Sequence, residues 1–209
     1  MTEPQQPLVL IVSGPSGSGK STLVEKLLEL PGTMFSISCT TRKARATESP
    51  GKWYDFVSEA EFERMVAQGE FLEYARVFGK YWYGTPRKWL EQAQRKGLDL
   101  VLEIDVQGAE QVKMKKLPGA VSIFIMPPSR EELERRLRAR GQDAGEEIAR
   151  RLERARQEMQ HFAQYDFIVV NDDVEGAGRE VQAVALAVRC RSDHTRPRVE
   201  KILHSFGGI

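Results

Sequence analysis

The residues with the clearest chemical meaning form a glycine-rich segment near the amino terminus, Gly14-Pro15-Ser16-Gly17-Ser18-Gly19-Lys20-Ser21. The segment matches the pattern G-x-x-x-x-G-K-[S/T], in which backbone N–H groups converge on phosphate oxygens at the start of a helix. In this pattern Lys20 reaches the β- and γ-phosphates and the Ser21 hydroxyl ligates Mg²⁺. The alternative is a glycine-rich turn that binds nothing, but the segment follows an apolar strand and opens a helix, as the pattern requires. The sequence therefore predicts a site for a nucleoside triphosphate with Mg²⁺.

This loop by itself leaves ATPase, GTPase and kinase functions open. The sequence has no Asn-Lys-x-Asp segment of the kind that recognises guanine in switch GTPases, and 209 residues are too few for a large motor ATPase. A small loop-bearing domain with an inserted segment and an arginine-rich flap favours a kinase with a small phosphorylated acceptor.

The elements that must position the loop alternate between apolar strands and longer helical segments, which predicts an α/β fold with a parallel sheet and helices on both faces. The helices have recognisable starts, with capping boxes at Ser58–Glu61 and Ser129–Glu132 and a proline, Pro86, at a first helical position. Gly97 marks the end of the helix that follows Pro86. The predicted strands are Leu8–Ser13, Met34–Cys39, Leu98–Asp105, Ala120–Met126 and Asp166–Val170.

Two segments interrupt this alternation. From about residue 40 to residue 85 the pieces are shorter, and the runs 71–78 and 81–83 predict an antiparallel hairpin within a small inserted subdomain. Residues 135–151 form a charged segment with internal glycines, which we interpret as a helical lid. We expect one domain over residues 7–187, followed by a helix or tail over 188–209.

Composition excludes several other classes of protein. The chain has 31 Lys+Arg and 30 Asp+Glu, a net charge of +1, which argues against a protein that coats nucleic acid or an anionic membrane. Two cysteines and three scattered histidines indicate neither a disulfide framework nor a zinc site. The amino terminus has no basic region, and its apolar run is too short to span a bilayer. We therefore expect a cytoplasmic protein with small-molecule partners.

An ordered set of further motifs resembles guanylate kinase over about residues 7–187. The resemblance implies a three-layer P-loop fold with a small inserted α+β subdomain for GMP and an arginine-bearing lid. It implies an activity that transfers the γ-phosphoryl group of MgATP to GMP, giving ADP and GDP. The motifs are 38–45 (SCTTRKAR), 51–56 (GKWYDF), 71–74 (FLEY), 83–85 (YGT), 103–108 (EIDVQG), 126–129 (MPPS), 136–141 (RLRARG) and 170–173 (VNDD).

The resemblance implies that Arg42, Arg45, Tyr54 and Tyr83 hold the phosphate of GMP. Two guanidinium groups and two phenol hydroxyls form a charge-assisted donor set for a dianion. Taken alone, the arginines are also compatible with a solvated loop, and such tyrosines more often pack in a core or a hairpin. The segment 79–84 is one residue longer than the usual Tyr-Tyr-Gly pattern, with Trp82 between the tyrosines, so Tyr83 is chosen over Tyr81 from its place before Gly84.

The resemblance implies that Glu73, Ser38 and Thr85 select the base of the acceptor nucleotide. A carboxylate accepts hydrogen bonds from both N1–H and N2–H of guanine, a pair that adenine does not present, and a hydroxyl donates to O6. A site with buried acceptors penalises the wrong base because its polar groups are left unpaired. Without the resemblance, Glu73 would be interpreted as an outward residue on an alternating strand.

Further roles follow from the same resemblance. Glu103 and Asp105 end a strand where open α/β sheets bind ligands, and they are expected near Lys20, the magnesium waters and GMP. Whether Glu103 contacts Lys20 or a metal-bound water stays open, since the family often has Asp there. Arg136, Arg140 and Arg151 are the lid arginines expected over the phosphates, where such residues stabilise transferring charge. Asn171 is expected in the ATP site. The lid arginines are also compatible with a solvated helix face.

Two alternative functions come from the same pattern. Guanylate-kinase-like domains also serve as non-catalytic peptide-binding scaffolds, although those generally lack an intact phosphate loop. A related kinase for another phosphorylated acceptor, such as a ribose bisphosphate, would share the loop but not the guanine-reading set of Glu73, Ser38 and Thr85.

Overall fold

The computed structural model describes residues 7–45, 48–77, 79–139 and 145–207. In chain order the strands are β1 (Val9–Ser13), β2 (Thr33–Phe35), β3 (Ser38–Thr40), β4 (Tyr54–Phe56), β5 (Phe71–Val77), β6 (Tyr81–Pro86), β7 (Asp99–Glu103), β8 (Ala120–Met126) and β9 (Phe167–Val170). The helices are α1 (Lys20–Leu28), α2 (Glu59–Ala67), α3 (Lys88–Lys96), α4 (Val106–Met114), α5 (Arg130–Ala139), α6 (Gly145–Met159), α7 (Val174–Arg189) and α8 (Ser192–Ser205), with a 3₁₀ turn at Phe162–Gln164.

The main sheet has five parallel strands in the order β2-β7-β1-β8-β9. Successive residues of β1 enter different cores because strand side chains alternate between the two faces. Leu10 and Val12 pack in a cluster with residues of α1 and α7. Val9 and Ile11 pack in a second cluster with residues of α3 and α4. Helices thus cover both faces, and the predicted α/β class with a parallel sheet is confirmed.

A second sheet, in the order β4-β3-β6-β5, lies within the segment between β2 and α3. Strands β5 and β6 form the antiparallel hairpin expected from the alternating pattern. Helix α2 covers this sheet through Phe62, whose ring stacks on Phe71 and on Trp82 at centroid distances of 4.5 and 5.9 Å. The additional hairpin residue, Trp82, therefore belongs to the core of the second sheet.

The structure corrects two sequence predictions. The single strand expected at Met34–Cys39 is two strands: β2 pairs with β7 in the main sheet, and β3 pairs with β4 and β6 in the second sheet. The apolar run does not reveal that the chain passes from one sheet to the other. Pro86 does not open a helix but ends β6 opposite Phe71. Helix α3 begins at Lys88, because the preceding residue, Arg87, still donates its N–H to Glu70 O at 2.7 Å.

Several local signals are present as expected. The Ser58 and Ser129 hydroxyls accept from the N–H groups of Glu61 and Glu132, each at 3.1 Å, at the starts of α2 and α5. Gly97 ends α3 with a φ of +64°, a left-handed conformation that favours glycine. Within the described ranges, none of the helices combines the length and apolarity needed to cross a membrane.

A buried carboxylate ties the first strand, β7 and α7 together at the edge opposite the phosphate loop. Asp99 Oδ1 accepts from the Leu8 N–H at 2.9 Å, and Asp99 Oδ2 accepts from Arg189 Nε at 2.7 Å. Hydrogen bonds to a charged group contribute more than neutral ones, and a buried N–H left without an acceptor adds a penalty.

We therefore expect Asp99→Ala to lower the free energy of unfolding by about 1.5–3 kcal/mol. Urea denaturation followed by circular dichroism measures the change. Asp193→Ala is the matched control: Asp193 pairs with Arg191 on the exposed surface of α8, so its loss should cost at most about 1 kcal/mol. Equal effects of the two substitutions would contradict an anchoring role for Asp99.

Candidate functional site

A cavity of about 500 Å³ lies at the carboxyl ends of β1 and β7. The phosphate loop forms one end, residues of the second sheet form the other, and α6 contributes Arg151, Arg154 and Glu158. The carboxyl ends of parallel strands are where open α/β sheets bind ligands. The cavity thus has the size and position of a small-molecule binding site.

The phosphate loop has the backbone that its glycines permit. Gly14, Gly17 and Gly19 have φ values of +141°, +92° and +93°, which other residues rarely adopt. A Cβ on Gly14 would lie 2.3 Å from Ile125 O, and one on Gly19 would lie 2.2 Å from Asn171 Nδ2. Lys20 Nζ donates to Gly14 O at 2.7 Å and to Pro15 O at 3.0 Å. The ammonium group therefore lies within the loop at the start of α1.

A hydroxyl and a carboxylate meet beside the loop. Ser21 Oγ donates to Glu103 Oε1 at 2.8 Å, and both residues line the cavity. This contact places Glu103 beside Ser21, and its expected contact with Lys20 or with a metal-bound water stays a prediction. Hydroxyl and carboxylate oxygens are hard donors of the kind that Mg²⁺ prefers together with phosphate oxygens. The pair fits a magnesium ion that arrives with a nucleotide.

The second sheet carries an anion-binding set centred on Arg42. Arg42 Nε lies 3.1 Å from Tyr83 Oη, to which it donates, and its guanidinium lies over the Tyr54 ring at 5.5 Å. Its Nη atoms donate to the two carboxylate oxygens of Glu48 at 2.7 and 2.9 Å. Arg45 donates its backbone N–H to the same carboxylate, with Nη1 at 3.7 Å. Of the four residues predicted to hold a phosphate, Tyr54 and Tyr83 thus contact Arg42, while Arg42 and Arg45 share the Glu48 carboxylate, which was not predicted.

These charges stabilise one another. The hydrogen bond from Arg42 is the largest cause that lowers the pKa of Glu48, and Glu48 in turn raises the pKa of Arg42. Burial, and then the nearby charge of Glu103, raises the pKa of Tyr54, so its hydroxyl stays protonated and can donate a hydrogen bond. Tyr83, rather than Tyr81, lines the cavity.

Glu73 faces inward, so the outward interpretation of this residue is wrong. A register shift between Phe71 and Glu73 in the pairing of β5 with β6 places Glu73 opposite Thr85. Thr85 Oγ1 donates to Glu73 Oε1 at 2.6 Å and lies 3.2 Å from Ser38 Oγ. Glu73 is 5% exposed, and burial raises the pKa of its carboxyl to about 7. The three residues predicted to read a base form one connected polar group.

The first turn of α4 lies behind this carboxyl. Asp105 caps the helix, with Oδ1 accepting from the Gly108 N–H at 2.9 Å. A Cβ on Gly108 would lie 2.4 Å from Glu73 Oε2, so only glycine allows this close approach. Asp105 lines the cavity together with Glu73 and Glu103.

The predicted lid arginines occupy different places. Arg151, on α6, lines the cavity. Arg136, on α5, instead donates to Ser18 O at 3.4 Å, to Asn171 O at 2.9 Å and to Glu132 Oε1 at 2.7 Å, on the side of the loop away from the cavity lining. Asn171 donates from Nδ2 to Ser18 O at 2.7 Å, so it supports the loop from behind. Arg140 lies outside the described residues.

Seven residues of the cavity lining were not predicted as site residues from the sequence: the apolar Ala75, Val77 and Ile104, and Glu48, Trp53, Arg154 and Glu158. Glu48 had a usable signal, as an acid three residues after Arg45 and six after Arg42. Arg154 and Glu158 follow Arg151 at helical spacing, but they lie beyond the predicted lid boundary at residue 151. Trp53 carried no distinguishing signal.

A parallel sheet with this loop at the end of its central strand, facing a second sheet that carries paired arginines, is the arrangement of a P-loop kinase. The guanylate kinase family model matches residues 6–187. The chain is 46% identical to guanylate kinase of Vibrio parahaemolyticus over 94% of this chain and 95% of that protein, and 50% identical to that of Sodalis glossinidius over 89% and 90%. The crystal structure of guanylate kinase from Anaplasma phagocytophilum has a TM-score of 0.80 at 37% identity, covering 98% of this chain and 97% of that one. The chain belongs to the guanylate kinase family.

The buried Glu73 carboxyl predicts a pH-dependent stability. Its pKa is raised from 4.5 to about 7 in the folded protein, so the folded state holds the proton over a range where the unfolded state has lost it. The free energy of unfolding should therefore fall as pH rises from about 4.5 to about 7, by up to about 3 kcal/mol. Urea titrations of the parent chain and Glu73→Gln between pH 4.5 and 8 test this. Glu73→Gln should lack this fall in the free energy of unfolding. If stability depended on pH in the same way in both proteins, the raised pKa of Glu73 would be contradicted.

Proposed function

We infer that the chain is an ATP:GMP phosphotransferase that converts MgATP and GMP to ADP and GDP, as in the recycling of GMP within purine nucleotide metabolism. The observation that carries this inference is that Glu73 and Ser38, connected through the buried Thr85, line one end of the cavity whose other end is the phosphate loop. Family membership supports the same function.

The acceptor phosphate would bind between Arg42, Arg45, Tyr54 and Tyr83. The contacts of Arg42 and Arg45 with Glu48 support this assignment, because a carboxylate already engages donors that a phosphate would use. Two guanidinium groups with phenol hydroxyls suit the geometry and charge of a phosphate dianion.

The base would be read by Glu73, with Thr85 and Ser38. An ionised Glu73 accepts from N1–H and N2–H of guanine, and a hydroxyl donates to O6. Because Glu73 is buried, adenine would leave its carboxylate without the two donors that guanine supplies and would be rejected. Asp105 and Glu103 border the same space and would face the bound nucleotide.

The donor would lie on residues 14–21, with Lys20 at the β- and γ-phosphates and Asn171 holding the loop from behind. Ser21 would ligate Mg²⁺ beside Glu103, and the ion supplies charge neutralisation on the phosphates. A phosphate oxygen of GMP attacks the γ-phosphorus in line, and the bond to the β-phosphate oxygen breaks with release of ADP. We propose that Arg151 stabilises the transferring charge together with Lys20 and Arg140, and that Arg136 acts through the loop carbonyls.

Closure over both nucleotides would exclude water, which otherwise accepts the phosphoryl group in place of GMP. The cytoplasmic location and a set of partners limited to small molecules, without nucleic acid or membrane, stay predictions from the sequence.

The direct test is ADP formation from MgATP with GMP, AMP, CMP, UMP or no acceptor. We expect turnover with GMP far above that with the other nucleotides. Lys20→Ala should lower kcat by about 10²–10³ because it removes a charged donor to the transferring group. ATP binding without acceptor-dependent turnover would instead indicate a different acceptor or a binding module.

Glu73→Gln should weaken selectivity for guanine, because an amide cannot accept both N–H bonds and also presents its own donors. We expect the ratio of kcat/KM for GMP over AMP to fall by about 10² or more. Glu70→Gln is the matched control, since Glu70 pairs with Arg64 on the exposed surface of the same subdomain. An unchanged ratio in Glu73→Gln would refute the base-reading role.

A further inference from the structure

Helix α6 presents three charged residues to the cavity at helical spacing. An adjacent side of the helix packs Ile148, Leu152 and Ala155 against α5 in a separate small core. Arg151, Arg154 and Glu158 are three and four residues apart and therefore share the face toward the cavity. The proposed function uses Arg151 and gives no role to the other two.

Arg154 connects this helix to the acceptor end of the cavity. Its Nε donates to Glu158 Oε1 at 2.7 Å, and its Nη2 lies 3.8 Å from Asp105 Oδ2. The three side chains are largely shielded from water, with exposed fractions of 26% for Arg154, 21% for Asp105 and 16% for Glu158. Ion pairs with this degree of shielding interact more strongly than those on an open surface.

Asp105 is fixed from its other side by α4. Its Oδ1 caps the helix through the Gly108 N–H, and its Oδ2 accepts from Gln107 Nε2 at 3.1 Å. Gly108 in turn lies against Glu73, with no room for a Cβ between them. A displacement of Asp105 would therefore move the helix turn that supports the base-reading carboxyl.

We propose that Arg154 is a positioning residue that holds Asp105 and the first turn of α4 for the acceptor nucleotide, with Glu158 fixing the guanidinium. It contacts Asp105 and Glu158 at this end of the cavity. Arg154 thus connects α6 to Asp105 at the acceptor end of the cavity. In the proposed function, Arg151 of the same helix acts on the transferring phosphoryl group. This inference rests on the proposed GMP kinase function.

The role predicts an effect on acceptor binding in particular. Arg154→Met keeps the apolar stem of the side chain and removes the charge. We expect KM for GMP to rise about tenfold, an interaction energy of ordinary size for contacting residues. KM for ATP and kcat at saturating GMP should stay within about twofold, because the residue adds binding rather than transition-state stabilisation. The Kd for GMP in the absence of ATP, from isothermal titration, should rise in parallel with KM.

Three further variants make the test specific. Arg156→Ala is the matched control on the same helix, since Arg156 pairs with Glu153 on the exposed surface, and its kinetics should match the parent chain. Arg154→Lys keeps a charge but has one nitrogen for two carboxylates, so its KM for GMP should lie between those of the parent and Arg154→Met. If Arg154→Met does not fold, the KM for GMP of Arg154→Lys tests the proposal in its place.

A double-substitution cycle tests whether Arg154 acts through Asp105. Asp105→Asn preserves a good helix cap, and adding Arg154→Met to it should raise KM for GMP by less than about twofold further. The proposal would be overturned if the effects of Asp105→Asn and Arg154→Met on KM for GMP multiplied in the double variant. It would also be overturned if Arg154→Met lowered kcat with unchanged KM, or if Arg154→Lys had a KM for GMP as high as that of Arg154→Met. A parent chain without GMP turnover would refute the proposed function itself, whereas an active parent with normal Arg154→Met kinetics would refute only this inference.

Discussion

The structure depends on the burial of β1 at the centre of the parallel sheet. Every residue of this strand is buried, and the chain leaves it directly into a loop whose glycines adopt conformations that other residues rarely adopt. Residues at the ends of the neighbouring strands then contact this loop. Strand β7 ends in Glu103 beside Ser21, and β8 places Ile125 O against Gly14. Asn171, directly after β9, supports Ser18. The phosphate site is therefore a consequence of strand order.

The cavity contains more charge than the net charge of the chain suggests. Its arginines are paired with acids: Arg42 with Glu48, and Arg154 with Glu158 and Asp105. Such pairs hold the guanidinium groups in fixed orientations, which lowers the cost of ordering them when an anionic substrate binds. Glu73 differs from these residues, because burial dominates its environment and raises the pKa of its carboxyl. The site thus combines preorganised cations with one carboxyl whose ionisation depends on its surroundings.

The sequence predicted the fold class and the family, and both are confirmed. Capping residues such as Ser58 and the hairpin of β5 and β6 were also predictable, since they depend on neighbours along the chain. The split of Met34–Cys39 between two sheets was not, because one apolar run fits either sheet. The inward position of Glu73 follows from a register shift, which strict alternation along a strand does not reveal.

By itself, the sequence determined the phosphate loop, because glycine conformations, the lysine and the helix start are properties of contiguous residues. It also supplied the ordered set of motifs that identifies the family. Only the tertiary structure decided which distant groups meet: Glu103 with Ser21, and Arg154 with Asp105. These pairs join different parts of the fold, and their strength depends on distance and shielding from water. Neither quantity exists until the sheets and α6 have packed together.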